Sequence, residues 1–211
     1  MPVKRLSEAK SSLSHVLGEE ERRELVLSML ADVLKVIKAT TSLAGVVVVS
    51  PDEEVLRAAR ISGALGLLEP SVGLNKAIEL AIQRAAAEGA DAVLVLPADL
   101  PLVRVADLEN IIAMARSPRE VVLAPSKDNG TNALLLKPPD AISLRFGGES
   151  FVDHLWEARG RGILPRIYRS TSIAMDVDNI QDLMNLEVEE LGAHTRAVVQ
   201  KIKRGTKLTR K

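Results

Sequence analysis

Four consecutive valines, Val46, Val47, Val48 and Val49, constrain the fold of this 211-residue chain more than any other feature. A continuous β-branched run suits a strand covered on both faces, as in the parallel sheets of α/β proteins. Before it, residues 20–39 read as a long helix with acidic residues in the first turn, where the dipole favours them. Its apolar stripe is Leu25, Met29, Leu30, Val33, Leu34 and Ile37. After the valines, Ser50-Pro51-Asp52-Glu53 predicts a new helix, with Ser50 as N-cap, Pro51 in the first turn and Glu53 closing a capping box.

The alternation then repeats. Strands are expected at 65–68, 92–96, 121–124, near Ile167 and along the run 173–177. Helices are expected over 74–88 (stopped by Gly89), 106–116, 150–159 and 180–191. Segment 133–136 follows 121–124 too closely for a helical crossover, so these two strands are expected to pair antiparallel. The fold class is therefore α/β: a mixed, mostly parallel sheet with helices on both faces, in one domain. A doubly wound fold places its first strand before Lys4, where only three residues stand; that strand is short, or residues are missing from the start. From Arg196 to Lys211 the chain carries seven basic residues and no acidic one. This tail is expected to be a solvated terminus, with an anion- or partner-binding arm as the alternative. On the first reading, a chain ending near Lys201 keeps its turnover.

Composition narrows the function classes. Cysteine is absent, which removes thiolate nucleophiles, Cys-ligated zinc and a disulfide framework. The 28 basic and 28 acidic residues cancel, and Phe146, Phe151, Trp156 and Tyr168 are the only aromatic residues. Neither feature suits a nucleic-acid binder. No signal peptide and no membrane-spanning run stand in the sequence, so a cytoplasmic protein is expected.

Several clusters could carry chemistry. Leu96-Pro97-Ala98-Asp99-Leu100-Pro101 follows a buried strand, where open α/β sheets bind their ligands. A carboxylate on a loop stiffened by two prolines suits a Mg²⁺ ligand; a cap on the following turn is the structural alternative. In Asp176-Val177-Asp178 an extended backbone sends both carboxylates to one side, although Asp178 could equally cap the helix after it. Lys4 and Lys10 flank the first strand-to-helix connection and form a candidate triphosphate cradle. Gly73-Leu74-Asn75 could admit a nucleotide close to the backbone, or be an ordinary turn and cap. Asn129-Gly130-Thr131-Asn132 and Phe146-Gly147-Gly148-Glu149-Ser150 end in a candidate anion site, with Ser150 as the expected cap of the helix carrying His154. None of the three histidines is placed for a Ser-His-Asp arrangement. A phosphate monoester needs no such base, because it is already an ionised nucleophile at neutral pH.

Taken in order, these motifs resemble the 2-phospho-L-lactate guanylyltransferase family of coenzyme F-420 biosynthesis. They are Pro2-Val3-Lys4, Ala9-Lys10-Ser11, Met29-Leu30-Ala31-Asp32-Val33-Leu34, Gly73-Leu74-Asn75, Ala98-Asp99-Leu100-Pro101, Gly130-Thr131-Asn132-Ala133-Leu134, Phe146-Gly147 with Ser150, Phe151 and His154, and Asp176-Val177-Asp178. The resemblance covers about residues 2–190. It implies a nucleotide-diphospho-sugar-transferase-like, Rossmann-like fold, a homodimer, and condensation of GTP with (2S)-2-phospholactate. The products would be lactyl-2-diphospho-5′-guanosine and pyrophosphate. Phosphoenolpyruvate or 3-phosphoglycerate replaces phospholactate in relatives. By the matching motifs, Asp99, Asp176 and Asp178 would hold Mg²⁺. Thr131, Gly147 and Ser150, beside Asn132, would hold the acid; Lys4 and Lys10, with Gly73 and Asn75, would face the nucleotide. The chain departs from the family at Ser12, where an arginine is usual, and at Asn129, where a glycine is frequent. Another nucleotidyltransferase, acting on a sugar phosphate or a molybdopterin, a non-catalytic nucleotide-binding module and, third, a nucleic-acid binder resting on the basic tail are the remaining readings.

Overall fold

The computed structural model describes residues 1–70 and 73–208, with side chains through residue 205. Helix α1 (Glu19–Ala39) starts where the acidic cluster predicts, and the Glu21 carboxylate reaches back to accept from the Gly18 N–H at 2.9 Å. Strand β1 (Val47–Ser50) follows and pairs in parallel with β2 (Leu65–Leu68). On its other side, Val3 N–H donates to the Val49 carbonyl and Val49 N–H to the Met1 carbonyl, both at 2.9 Å. Residues 1–3 thus form a single parallel bridge, at Pro2 and Val49, where the first strand was expected.

Between these strands lies α2 (Glu53–Ile61), and α3 (Leu74–Ala87) and β3 (Val93–Val95) come next. Helix α4 (Val105–Met114) leads to β4 (Glu120–Pro125), which turns directly into β5 (Thr131–Lys137). The chain continues through α5 (Ser150–Gly160), β6 (Arg166–Ile167), α6 (Thr171–Ala174), α7 (Ile180–Asn185) and α8 (Ala193–Leu208). The second ladder has the order β3-β5-β4-β6, with β5 antiparallel to both neighbours and β4 parallel to β6. The antiparallel pairing expected from the short connection is therefore present.

Alternate residues of the central strands feed opposite faces. Val48, Val122, Ala124, Ala133 and Leu135 pack with α1, α2 and α4, while Val121, Leu123, Leu134 and Leu136 pack with α3 and α5. Val49 meets Ala77 and Ala81 of α3. The valine run is indeed covered on both faces.

Five local expectations need correction. Asp52, not Ser50, caps α2: its carboxylate accepts from Glu54 N–H, and the Ser50 hydroxyl accepts from Asp52 N–H instead. Glu149, not Ser150, precedes α5, so Ser150 is the first helical residue. Asn179, not Asp178, caps α7, accepting from Gln181 and Asp182 N–H. The run 173–177 makes no strand: Ile173 and Ala174 end α6, their carbonyls accept from the Asn132 side chain and from Lys127 N–H, and Val177 N–H donates to the Asp99 carbonyl. The helix expected over 180–191 stops at Asn185, and a single 3₁₀ turn, Val188–Glu190, follows.

Through residue 208 the basic tail is helical rather than a solvated terminus. It forms α8, whose Val198, Val199 and Ile202 pack with Leu25 and Met29 of α1 and with Leu13, Leu17, Val177 and Leu183. Its cations serve local carbonyls: Arg196 donates to Glu189 and Leu191, and Lys203 to Met184 and Leu186. Lys201 pairs with Glu24 at 2.9 Å. The Lys207 side chain, Arg210 and Lys211 lie outside the described residues. Asp32 of α1 is buried and caps α8, accepting from Thr195 N–H at 2.7 Å and His194 N–H at 3.3 Å. Gly192 leaves room for this contact, since a Cβ there would stand 2.3 Å from the Asp32 carboxyl carbon. Asp32→Ala is predicted to lose about 1–3 kcal/mol and to lower Tm by roughly 2–4 °C per kcal/mol in thermal unfolding. A chain ending at Gly192 should lose cooperative unfolding, because the apolar side of α1 is then bare. An unchanged Tm in both variants would show that α8 is dispensable.

Candidate active site

The connection from residue 3 to α1 is held from two sides. Leu6 N–H donates to Asp52 Oδ2 at 3.0 Å, and Leu13 and Leu17 are buried beneath α8. Between these anchors Lys10 adopts the left-handed conformation, φ 52° and ψ 37°, which is uncommon for a side chain of its kind. That turn sends its ammonium inward, and only 9% of the side chain stays exposed.

The ammonium joins the acidic segments. Lys10 Nζ lies 2.5 Å from Asp99 Oδ2 and 3.3 Å from Asp178 Oδ1. The backbones are joined as well, by Val177 N–H donating to the Asp99 carbonyl at 3.2 Å and by the Ser12 hydroxyl donating to the Asp178 carbonyl. Val177 is buried while Asp178 is half exposed, as the alternating pattern requires. Neither Asp99 nor Asp178 caps a helix: the Asp107 carboxylate accepts from Arg104 N–H at the start of α4, and Asn179 starts α7.

Sequence reasoning missed Lys127. Its ammonium donates to the Asp176 carbonyl at 3.0 Å and to its carboxylate at 3.2 Å, and it lies 3.3 Å from Asp182. The only sequence signal is a cation in the β4–β5 turn at the same sheet edge as Asp99. Asp182 in turn accepts from the N–H groups of Asp178 and Asn179.

The charges are unevenly matched. Burial alone lowers an ammonium's pKa, but Asp99 and then Asp178 outweigh it and hold Lys10 above the ordinary lysine range. Lys127 is likewise raised, against burial, by Asp176 and Asp182. Asp176 is pushed above the usual carboxylate range by burial and by the nearby charge of Asp178, despite Lys127. Asp178 is held below that range: burial opposes the shift, and Lys10 overcomes it. Among the described residues no three or more His, Asp or Glu stand ready to enclose a metal ion.

A cleft of about 560 Å³ opens beside these groups, within the usual size of a small-molecule site. Lys4, Lys10, Gly73, Asp99, Thr131, Asn132, Asp176 and Asp178 all line it. Topology explains why they meet. Strands β3 and β4 end at this edge, and β5, antiparallel to both, begins there, so Thr131 and Asn132 line the same cleft as Pro97, Ala98 and Asp99. Asn132 is also a clamp, donating to the Ile173 carbonyl at 2.8 Å. The turn before Thr131 depends on Asn129 at φ 62° and on Gly130, where a Cβ would stand 2.8 Å from Ser126 Oγ. Asparagine tolerates that left-handed conformation.

Three expected residues do not line the cleft. The Asn75 amide is occupied by the Phe146 backbone, accepting from its N–H at 2.8 Å and donating to its carbonyl at 2.9 Å. Gly147 has φ 139° in the next turn of chain, and Ser150 is buried behind Gly130, its N–H donating to the Gly147 carbonyl. Asn75 thus positions the loop that carries Gly147 and Ser150. No described helix is long and apolar enough to cross a membrane.

Comparison with known proteins identifies the fold and the family. The fold matches a solved structure from Desulfovibrio desulfuricans, classed with the nucleotide-diphospho-sugar transferases, with a TM-score of 0.71, 16% identity and coverage of 95% of each chain. A phosphoenolpyruvate guanylyltransferase of Sphaerobacter thermophilus is 44% identical over 92% of this chain and 91% of its own length. A 2-phospho-L-lactate guanylyltransferase of Methanothermobacter thermautotrophicus is 38% identical over 96% and 89%. The family described as "Guanylyl transferase CofC like" matches residues 1–210, and the chain belongs to that guanylyltransferase family.

Proposed function

We propose that the chain transfers the guanylyl group of GTP to phosphoenolpyruvate, releasing pyrophosphate, as a step toward coenzyme F-420. One observation carries the reading: Lys10, Asp99, Asp176 and Asp178 converge at a cleft that Thr131 and Asn132 also line. The family supplies the guanylyl chemistry, and a 44% identical relative bears the name of the phosphoenolpyruvate enzyme. 2-Phospholactate is the second reading, favoured by the 38% identical relative.

In the reaction, a phosphate oxygen of the acid bonds to the α-phosphorus of GTP, and the bond from that phosphorus to the bridging oxygen of pyrophosphate breaks. The acid's phosphate is already ionised, so the chain's task is alignment and charge neutralisation rather than proton removal. Lys4 and Lys10 would face the triphosphate, with the Gly73 backbone beside the nucleotide. Thr131 would hold the acid from the cleft wall, and Gly147, next to the cleft-lining Phe146, and Ser150, beside Gly130, would complete its site. Of Asp99, Asp176 and Asp178, Asp99 and at least one of the other two would share Mg²⁺ with the phosphates. Mg²⁺ takes only one or two protein carboxylates beside phosphate oxygens and water, so a closed cage is not required. The donor set fits that demand, since Asp176, raised by burial and by the nearby charge of Asp178, gains from an added cation. Bound there, Mg²⁺ would neutralise charge on the α-phosphate and on the departing pyrophosphate.

The test is pyrophosphate release with each nucleoside triphosphate against phosphoenolpyruvate, 2-phospholactate, 3-phosphoglycerate and a sugar phosphate. Release is expected with GTP and phosphoenolpyruvate together, and with neither alone. Turnover of the sugar phosphate but of no phospho-acid would overturn the reading. In the same assay Ser150→Ala is predicted to raise KM for the acid by roughly 10- to 150-fold, the value of a hydrogen bond to a charged group. KM for GTP should stay near wild type. An equal loss for both substrates would remove Ser150 from the acid site.

A further inference from the structure

His154 does not line the cleft, and no step described above uses it. It is nonetheless fully buried beneath Thr131, on α5. Both ring nitrogens have partners. Nε2 lies 2.9 Å from the backbone N–H of Arg145, which can only donate, so Nε2 accepts and carries no proton. The ring is neutral: burial pushes its pKa down to about 4. A neutral imidazole with a bare Nε2 carries its hydrogen on Nδ1. Nδ1 is 3.0 Å from Thr131 Oγ1, so the ring donates and the threonine oxygen accepts.

The consequence falls on Thr131. Its hydroxyl has no other hydrogen-bond partner among the described residues, and its oxygen already accepts from the ring. The hydroxyl hydrogen is therefore left for the cleft that Thr131 lines. A hydroxyl ordinarily rotates to suit its surroundings, donating or accepting. Here it is fixed as a donor, the polarity that an anionic oxygen requires. The same imidazole holds Arg145, two residues before Gly147, while Phe146 packs edge-on against the ring at 4.8 Å and is clamped by Asn75.

We propose that His154 is a positioning residue for the phosphorylated acid: it sets the Thr131 hydroxyl as a donor into the cleft and fixes the loop carrying Gly147 and Ser150. The inference rests on the acid-site reading given under Proposed function, and the test separates the two. Thr131→Val, His154→Phe, the double variant and His154→Asn are compared by KM for phosphoenolpyruvate and for GTP. Thr131→Val and His154→Phe are each expected to raise KM for the acid about 10-fold or more and to spare GTP. The double variant should be little worse than the more impaired single one, because the two residues act as a unit. Asparagine can donate from the Nδ1 position, so His154→Asn should recover most of the loss. If Thr131→Val raises KM and His154→Phe does not, or if the two losses multiply, the positioning role is wrong and the acid site stands. If Thr131→Val changes nothing, the acid-site assignment of Thr131 falls, and the role of His154 with it. Nitrogen-15 spectra of the intact wild-type protein give a check independent of variant folding. A neutral, Nδ1-protonated His154 at pH 6 is expected, and an Nε2-protonated or cationic ring overturns the proposal.

Discussion

The site depends on one buried ammonium. Lys10 lies between Asp99, at the end of the β3 loop, and Asp178, which follows α6, and the rest of the cleft wall is arranged to put it there. Exposed ion pairs contribute about 0–1 kcal/mol, whereas breaking a buried pair costs roughly 3–5 kcal/mol because a charge is left unmatched. The Lys10–Asp99 contact approaches the second class, with side chains only 9% and 27% exposed. The Asp178 contact, 55% exposed on the acidic side, is nearer the first. The stronger bond thus joins the first loop to the β3 loop, and Asp178 keeps more freedom to meet a ligand.

Backbone hydrogen bonds make that arrangement rigid. Val177 N–H on the Asp99 carbonyl fixes the spacing of the two acidic segments, and Asp182 anchors the peptide N–H of Asp178. Upstream, the buried Asp107 carboxylate accepts from Tyr168, Ser170 and Ser172, which holds the chain leading into α6. Beneath, Val177, Leu13 and Leu17 share one apolar cluster with α8. The C-terminal helix thereby supports both the lysine loop and the acidic pair, although its described side chains stay outside the cleft.

Much of this was legible in the sequence. The valine run, the apolar stripe of α1 and the short β4–β5 connection each imply their structure through side-chain periodicity or chain length. Asp99 and Lys10 could be placed because one follows a strand that forms and the other stands in the first strand-to-helix loop, whereas the placement of Asp176 and Asp178 rests on an expected strand over 173–177 that does not form. What was missed depends on contacts between distant residues. The basic composition of α8 hides an apolar face formed by Val198, Val199 and Ile202, and the Asp32 cap lies 163 positions from Thr195. The choice of Asp52 over Ser50, or Asn179 over Asp178, is a one- or two-residue matter of local backbone that composition cannot decide. Asn75 reads as a nucleotide ligand until the Phe146 backbone is found on both its amide atoms, 71 residues away. Lys127 offers only a cation in the β4–β5 turn until that turn is folded against Asp176.

The central claim is that the Asp99 carboxylate, drawn to the cleft by Lys10, acts through its charge on the phosphates and their counter-ion. Asn keeps the shape of Asp and removes that charge. The most direct measurement is kcat of Asp99→Asn against Mg²⁺ concentration, with thermal unfolding as the control for folding. The account predicts a loss of about 100-fold or more, on the scale of removing one major electrostatic contribution to the transition state, with the fold retained. A near-wild-type kcat across the Mg²⁺ series would contradict it.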